Sequence, residues 1–405
     1  MDFFLDHIDK YVRYPTPTEQ RQQDMILGKI YKDMYNSDIF VSNLIKRHQL
    51  LKKKKIIHKI KDIPSSTLLN SQYVPTPIHE YIKNHSSMYL QYTCTIFNKI
   101  INIYFVLFRK IPDSKIGYYD EMVSKMLIWL RIAFLYSPTY CGKNLKIILY
   151  LTHFKKELPS KTIDVLGAEH CNTAVTTTCS AKGDIVIYRK EEWFKVFIHE
   201  TFHALGLDFS TFSCSNIHYK LYHLFPIKSE YNVYEAYAEF WATIINCLFC
   251  AYELLDDKLD EKDFLLYSDF CIQFERIFSL FQLVKILHFM GISYKDLYET
   301  DSVSLIARKY LYKEKTNVFS YYIIKNLLLY NYPAFLKWCN TNNINTLRFD
   351  KYDNNLNKFY NFIHKKYKSD KYLDDIKNMK LQFGLEKNKN KKIFLTMRMT
   401  LCEWE

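Results

Sequence analysis

The chain has 405 residues, 48% of them hydrophobic and 24% charged: enough apolar material for a sizeable core, and too balanced a charge for a disordered protein. Only 8 glycines stand against 34 tyrosines and 29 phenylalanines, and neither glycine-rich phosphate motif occurs, which excludes a P-loop or dinucleotide cradle. The formal charge of +13 would suit a polyanion, yet no zinc-finger or RNA-recognition signature accompanies it, and an AT-rich codon bias toward Lys, Asn, Ile and Tyr supplies such charge without function.

In chain order, residues 18–55 read as a polar amphipathic helical stretch, followed by a proline-containing connector over 64–77. Lys52 to Lys55, extended by Lys59 and Lys61, form one basic run, and Lys387, Lys389, Lys391 and Lys392 form another. Both read as solvated helix ends or tails. Residues 88–97 and 100–108 are rich in Tyr, Ile, Phe and Thr at strand length, 118–136 has apolar residues at helical spacing, and 145–152 reads as a buried strand. Residues 172–179 and 184–188 are β-branched runs joined by a short connection, which predicts a hairpin. Glu191 and Glu192 then mark a helix start, where acids suit the positive end of the dipole, and Gly206 marks its stop. Further helices are predicted over 231–255, 263–290 and 318–338. The expected architecture is a predominantly helical α+β fold with a small mixed sheet, organised as an N-terminal region 1–115, a central unit 116–300 and a C-terminal helical region 301–405.

Ten cysteines lie scattered along the chain and do not form a dense disulfide scaffold, so a reducing compartment is expected. Cys171 and Cys179, flanking the first hairpin strand, are the pair expected to bridge under an oxidant, and Cys247 and Cys250 have CxxC spacing inside an apolar helix, where buried structural thiols are expected. The start carries three acids and no basic segment, unlike a secretory signal. The most apolar stretch, 240–251, is well short of the roughly 20 residues a bilayer span requires. A soluble, intracellular protein is expected, cytoplasmic or carried in a particle, with nucleic acid not a partner.

One motif carries chemistry: His199-Glu200-Thr201-Phe202-His203. On a helix, residues four apart stack on one face, so both imidazoles can ligate one tetrahedral Zn²⁺ while Glu200 stands beside the metal and takes the proton of an attacking water. Apolar flanks (Val196, Phe197 and Ile198 before, Ala204 and Leu205 after) suit a helix in a core. Zinc needs a third protein ligand. The metzincin spacing fails, because Phe209 occupies the ligand position and Asp208 is one place off. The other source is Tyr234-Glu235-Ala236-Tyr237-Ala238-Glu239, with two acids four apart on one helical face, costly to bury unless paired or metal-bound.

HETFH followed by YEAYAEFWA resembles the gluzincin zinc metallopeptidases, including the thermolysin-like and anthrax lethal factor-like groups. The resemblance covers residues 184–247, with 207–230 reading as an insertion. It implies a zincin-like catalytic unit, a Zn²⁺ cofactor, a peptide or protein substrate, His199, His203 and Glu235 as ligands, Glu200 as general base and Glu239 orienting a ligating histidine; the two acids could exchange these roles. It also implies an edge strand before the site helix that pairs with extended substrate, placed at 184–188, and a Tyr or His that stabilises the oxyanion, with Tyr231 and His223 as candidates. A second reading keeps the zincin fold as a catalytically silent structural or interaction protein, for instance a particle component.

Overall fold

The computed structural model describes residues 8–386 and 391–403, so Lys387 and Lys389 of the second basic run, and residues 1–7 of the acidic start, lie outside the described residues. The fold is predominantly helical α+β around one six-stranded mixed sheet.

Helix α1 (Pro17–Lys46) begins at a capping box: the Glu19 N–H donates to Thr16 Oγ1 at 3.3 Å, and the Thr16 N–H donates to Glu19 Oε2 at 3.0 Å. It stops at residue 46, nine residues before the expected end. His48 turns the chain with φ of 55°, and the lysine run becomes β1 (Leu51–Ile56), every residue of it exposed. The expectation of a solvated helix end is therefore corrected. β1 pairs antiparallel with β2 (Met88–Ile96) at one edge of the sheet, where lysines discourage further pairing. Between them, α2 (Thr76–His85) covers one face of the sheet.

A two-residue turn with positive φ at Phe97 and Asn98 joins β2 to β3 (Lys99–Leu107). Helix α3 (Ile116–Tyr136) crosses over to β4 (Asn144–Thr152), which pairs parallel with β3. The strand order is β1-β2-β3-β4-β6-β5, with β6 (Lys182–Arg189) parallel to β4 and the short β5 (Ala174–Thr176) antiparallel to β6. Strand periodicity sorts β4: Leu145, Ile147 and Leu149 enter the main helical core, while Ile148 and Tyr150 join Ile78 and Ile82 of α2 in a smaller cluster on the opposite face.

The helical layer comprises α4 (Trp193–Ala204), α5 (Ser215–Leu224), α6 (Val233–Glu253), α7 (Glu261–Met290) and α8 (Ser302–Leu311). A π-helical turn, Phe319–Ile324, leads into α9 (Lys325–Tyr330), then α10 (Tyr332–Asn342), α11 (Asp353–Lys366) and α12 (Asp370–Glu386). Every residue of α4 is buried, and α6 packs against both α4 and α7. No described helix is long and apolar enough to cross a membrane.

Candidate metal centre

β6 delivers the chain to α4 through a tight corner at Glu192, which takes a left-handed conformation with φ of 58°. Glu192 does not serve the helix dipole with its side chain as expected. Its carboxylate is buried, ion-paired with Lys156, and accepts the backbone N–H groups of Met399 and Thr400 at 2.7 and 2.6 Å. Two turns on, His199 and His203 lie on one face of α4, and the Thr201 hydroxyl between them in sequence accepts from Trp129 Nε1 of α3 at 2.7 Å, tying the helix to the core.

Gly206 ends the site helix with φ of 66°, and a Cβ there would lie 2.9 Å from Cys179 Sγ and 3.1 Å from Cys141 Sγ, so both the backbone and the space demand glycine. Those two sulfurs form a disulfide, which corrects the expected partner: Cys179 pairs with Cys141, and Cys171 is a free, buried thiol. The Cys179 N–H donates to the His203 carbonyl at 3.0 Å, so the cross-link sits directly on the helix end.

Past Gly206 the chain turns back and brings Asp208 under the site. Its Oδ2 lies 2.6 Å from His203 Nδ1, and its Oδ1 accepts from Ser210 Oγ at 2.9 Å. His199 Nδ1 lies 3.0 Å from Glu239 Oε2, and the other Glu239 oxygen is paired with Lys195 Nζ. With each Nδ1 facing a carboxylate, each ring presents Nε2 to the same point. The two Nε2 atoms are 3.0 Å apart, and Glu235 Oε2 from α6 lies 3.1 Å from one and 3.3 Å from the other. This His199, His203, Glu235 set is the only group of three or more potential ligands with such mutual proximity among the described residues. The helix spacing thus separates the two acids: Glu235 reaches the Nε2 side and Glu239 the Nδ1 side of His199.

Burial and neighbouring charge act on these groups in opposite directions. Burial opposes the imidazolium of His199, but hydrogen bonds to Glu235 and Glu239 outweigh it and push its pKa up to about 9. His203 is raised as well, against its burial, by the charges of Glu235 and Asp208. Burial would raise Glu235 and Glu239, yet the histidines beside Glu235, and Lys195 with His199 beside Glu239, hold both well below the usual carboxylate range. Glu200 is the exception: burial raises it, and the histidine charges do not fully compensate.

The donor set suits zinc: two imidazole nitrogens and one carboxylate oxygen converge with their lone pairs facing one another, and each imidazole is oriented through its other nitrogen. Compared with family models, curated proteins and solved structures, the chain matches none of them. The centre is therefore argued from its own geometry.

A cleft of about 210 Å³ opens over these groups, lined by His199, Glu200, His203, Glu235, Tyr234 and Tyr321 and walled by β5. The substrate-pairing edge expected at 184–188 is corrected here: that segment is β6, hydrogen-bonded on both sides, and the sheet edge at the cleft is β5. Neither expected oxyanion donor lies in the cleft. Tyr231 is buried with its hydroxyl 2.6 Å from the carbonyls of both Phe225 and Ile227, stapling the loop before α6, and His223 is exposed on α5 against Tyr219 and Tyr222. The tyrosine in place is Tyr321, whose hydroxyl donates to Glu235 Oε2 at 3.1 Å and whose ring centroid is 6.0 Å from that of His199. It sits on the π-helical turn, a distortion frequent at functional sites.

Three contributors escaped the sequence reading. Asp208 left a trace as an acid just beyond the helix stop. Lys195 left one as well, lying one turn before His199. Tyr321 left none, being one of 34 tyrosines and remote in sequence.

Proposed function

We propose that this chain is a zinc-dependent peptidase, with His199, His203 and Glu235 holding the metal and Glu200 acting as general base. The observation that carries the reading is the convergence of His199 Nε2, His203 Nε2 and Glu235 Oε2 within 3.0 to 3.3 Å of one another, with Glu200 on the same cleft wall. The resemblance of HETFH and YEAYAEFWA to gluzincin motifs supports the choice of peptide hydrolysis over other metal chemistry.

When bound, zinc supplies positive charge that makes water nucleophilic near neutral pH and polarises a carbonyl. The rest falls to the chain itself. Glu200, whose carboxylate burial makes more basic than an exposed one, accepts the proton of the attacking water and delivers it to the departing amine. Tyr321, its hydroxyl pushed well above the ordinary value first by burial and then by the charge of Glu235, keeps its proton and donates it in a hydrogen bond to the developing oxyanion. Asp208 and Glu239 keep the two rings turned toward the ligand point. The free edge of Ala174–Thr176 offers backbone groups to an extended peptide lying in the cleft.

Metal analysis and cleavage assays test this separately. Zinc-loaded protein should carry metal that is lost in His203→Ala and Glu235→Ala. Glu200→Gln should retain zinc while cleavage in a peptide library falls by roughly 10²- to 10⁴-fold. No zinc in the loaded wild type would sink the centre. Zinc retained without any cleavage would favour the silent structural reading.

A further inference from the structure

A second cavity, of about 730 Å³, opens at the carboxyl ends of the neighbouring parallel strands β3 and β4 and shares no residue with the metal cleft. That volume falls in the range of roughly 300–1,000 Å³ typical of small-molecule sites. Its place is the one where sheets with parallel strands hold ligands, in the crevice beyond the strand ends. Helices approach it from both faces of the sheet: α2 supplies Tyr81 from the side of the smaller cluster, and α3 supplies Tyr118 and Tyr119 from the side of the main core.

The cavity exists because the sheet opens. β3 and β4 are paired from Ile100 and Asn144 as far as Phe105 and Leu149, yet β3 runs on to Leu107 and β4 to Thr152. On its other side β4 slips out of register with β6 between Leu149 and Thr152, and Leu151 there takes a left-handed conformation with φ of 44°. A leucine in that region is strained, and strain of this kind collects at ligand and active sites.

The walls and the charge agree on one chemistry. Phe105, Leu149 and Tyr150 are almost fully buried and line the inner side. Tyr119 meets Phe105 edge to face with centroids 5.1 Å apart, and Tyr81 meets Phe108 in the same way at 4.8 Å, so the aromatic walls are fixed by their own packing. Every charged residue lining the cavity is a cation: Arg109, Lys115 and Lys190. All three are exposed, and none has a side-chain hydrogen bond or an ion pair among the described residues. The acids nearest in sequence to Lys115, Asp113 and Asp120, are already paired with Lys54 and Lys52 of β1, each at 2.8 Å. An aromatic slot with three unmatched positive charges suits a ligand with a flat ring and a negative end: the walls take the ring, and the guanidinium and ammonium groups give charge-assisted hydrogen bonds to the acid.

We propose that this cavity binds a small planar aromatic anion, a ring that carries a carboxylate or a phosphate. Tyr81, Phe108, Tyr118 and Tyr119 recognise the ring, and Arg109, Lys115 and Lys190 recognise the acid group. The site stands apart from the metal centre and survives if the peptidase reading fails.

Calorimetric titration of the full-length protein, kept metal-free with a chelator, tests this with AMP as the phosphate probe and indole-3-carboxylate as the carboxylate probe. At least one should bind saturably at or below about 1 mM, and the tighter of the two identifies the acid group. Adenosine, indole and inorganic phosphate each lack one half of the chemistry and should bind at least about tenfold more weakly. Arg109→Ala, a change at an exposed residue, should weaken the tighter anion about tenfold with thermal unfolding unaltered, and the triple variant Arg109→Ala, Lys115→Ala, Lys190→Ala should abolish binding. Tyr118→Ala should weaken it as well, through loss of a ring wall. No saturable binding of either anion would overturn the proposal. So would binding that is unchanged in the triple variant, which would place the anion elsewhere, or equal affinity for octanoate, which would show a site for apolar acids without regard to the ring.

Discussion

The two ends of helix α4 bury charge in different ways. At its start, two buried carboxylates have a cation from the protein: Lys156 beside Glu192, and Lys195 of α4 itself beside Glu239. At its end, Glu235 and Asp208 face His199 and His203 and the hydroxyls of Tyr321 and Ser210, with no lysine or arginine ion pair to either acid among the described residues. Buried carboxylates need compensation, because the desolvation penalty of an unpaired charge amounts to several kcal/mol. At the start of the helix a fixed ammonium supplies it, and the result is structural. At the end only exchangeable protons supply it, and a divalent cation can take their place. Glu314 shows a third solution: with no ion pair among the described residues and burial dominant, its pKa is pushed up to about 7, and hydrogen bonds from Tyr312 Oη and the Phe319 N–H satisfy it.

The sharpest way to break the comparison is at the structural end. Lys195→Met should cost about 3–5 kcal/mol in denaturant unfolding, because it leaves Glu239 buried without its ammonium. A loss under 1 kcal/mol would mean that the two ends are not different in kind. At the other end, Tyr321→Phe should leave zinc content and folding intact while kcat falls roughly 10²- to 10³-fold. Tyr231→Phe serves as its counterpart: it should leave kcat unchanged and lower stability by about 1 kcal/mol, since its hydroxyl bonds only the 225–231 loop. Asp208→Asn should weaken zinc binding by roughly 10- to 100-fold in competition with a chelator, because His203 loses its charged orienting partner. Equal affinity in the two proteins would show that packing alone sets that ring.

Glu314 tests the comparison through pH alone. Its folded pKa of about 7 lies above the ordinary 4.5, so between these values the folded state holds more protons than the unfolded one. Stability should therefore fall as pH rises from about 4.5 to about 7, by at most about 3 kcal/mol, less to the extent that its partial solvent contact screens the charge. Chemical denaturation at several pH values checks this. Glu314→Gln should flatten that part of the profile, and an identical profile in the variant would exclude Glu314 as its source.

Much of the fold was legible wherever one period dominated. The β-rich runs at 88–97, 100–108 and 145–152 became β2, β3 and β4, and the apolar helical stretches 118–136 and 231–255 became α3 and α6 within a few residues. The lysine run misled because lysine is at home on any solvated surface, and the turn at His48 that makes it a sheet edge carries no strong sequence signal. Edge and interior strands were also confused: β6 is a continuous apolar run, but which strand lies outside it depends on how the preceding loop returns. For the candidate centre, spacing brought out His199, Glu200, His203, Glu235 and Glu239 because four-residue periodicity places each pair on one helix face.

What the sequence by itself determined are the local relations: two histidines one turn apart, two glutamates one turn apart, a glycine where the site helix must end, and too few glycines for a phosphate cradle. Tertiary structure alone decided which glutamate meets which imidazole nitrogen, that Asp208 holds His203, that Cys179 pairs with Cys141, and that Tyr321 and not Tyr231 overlooks the cleft. The reason is physical. Helical and strand periodicities are short-range consequences of backbone geometry, whereas a contact between residues 86 or 38 positions apart exists only once the core has packed and fixed the elements that carry them.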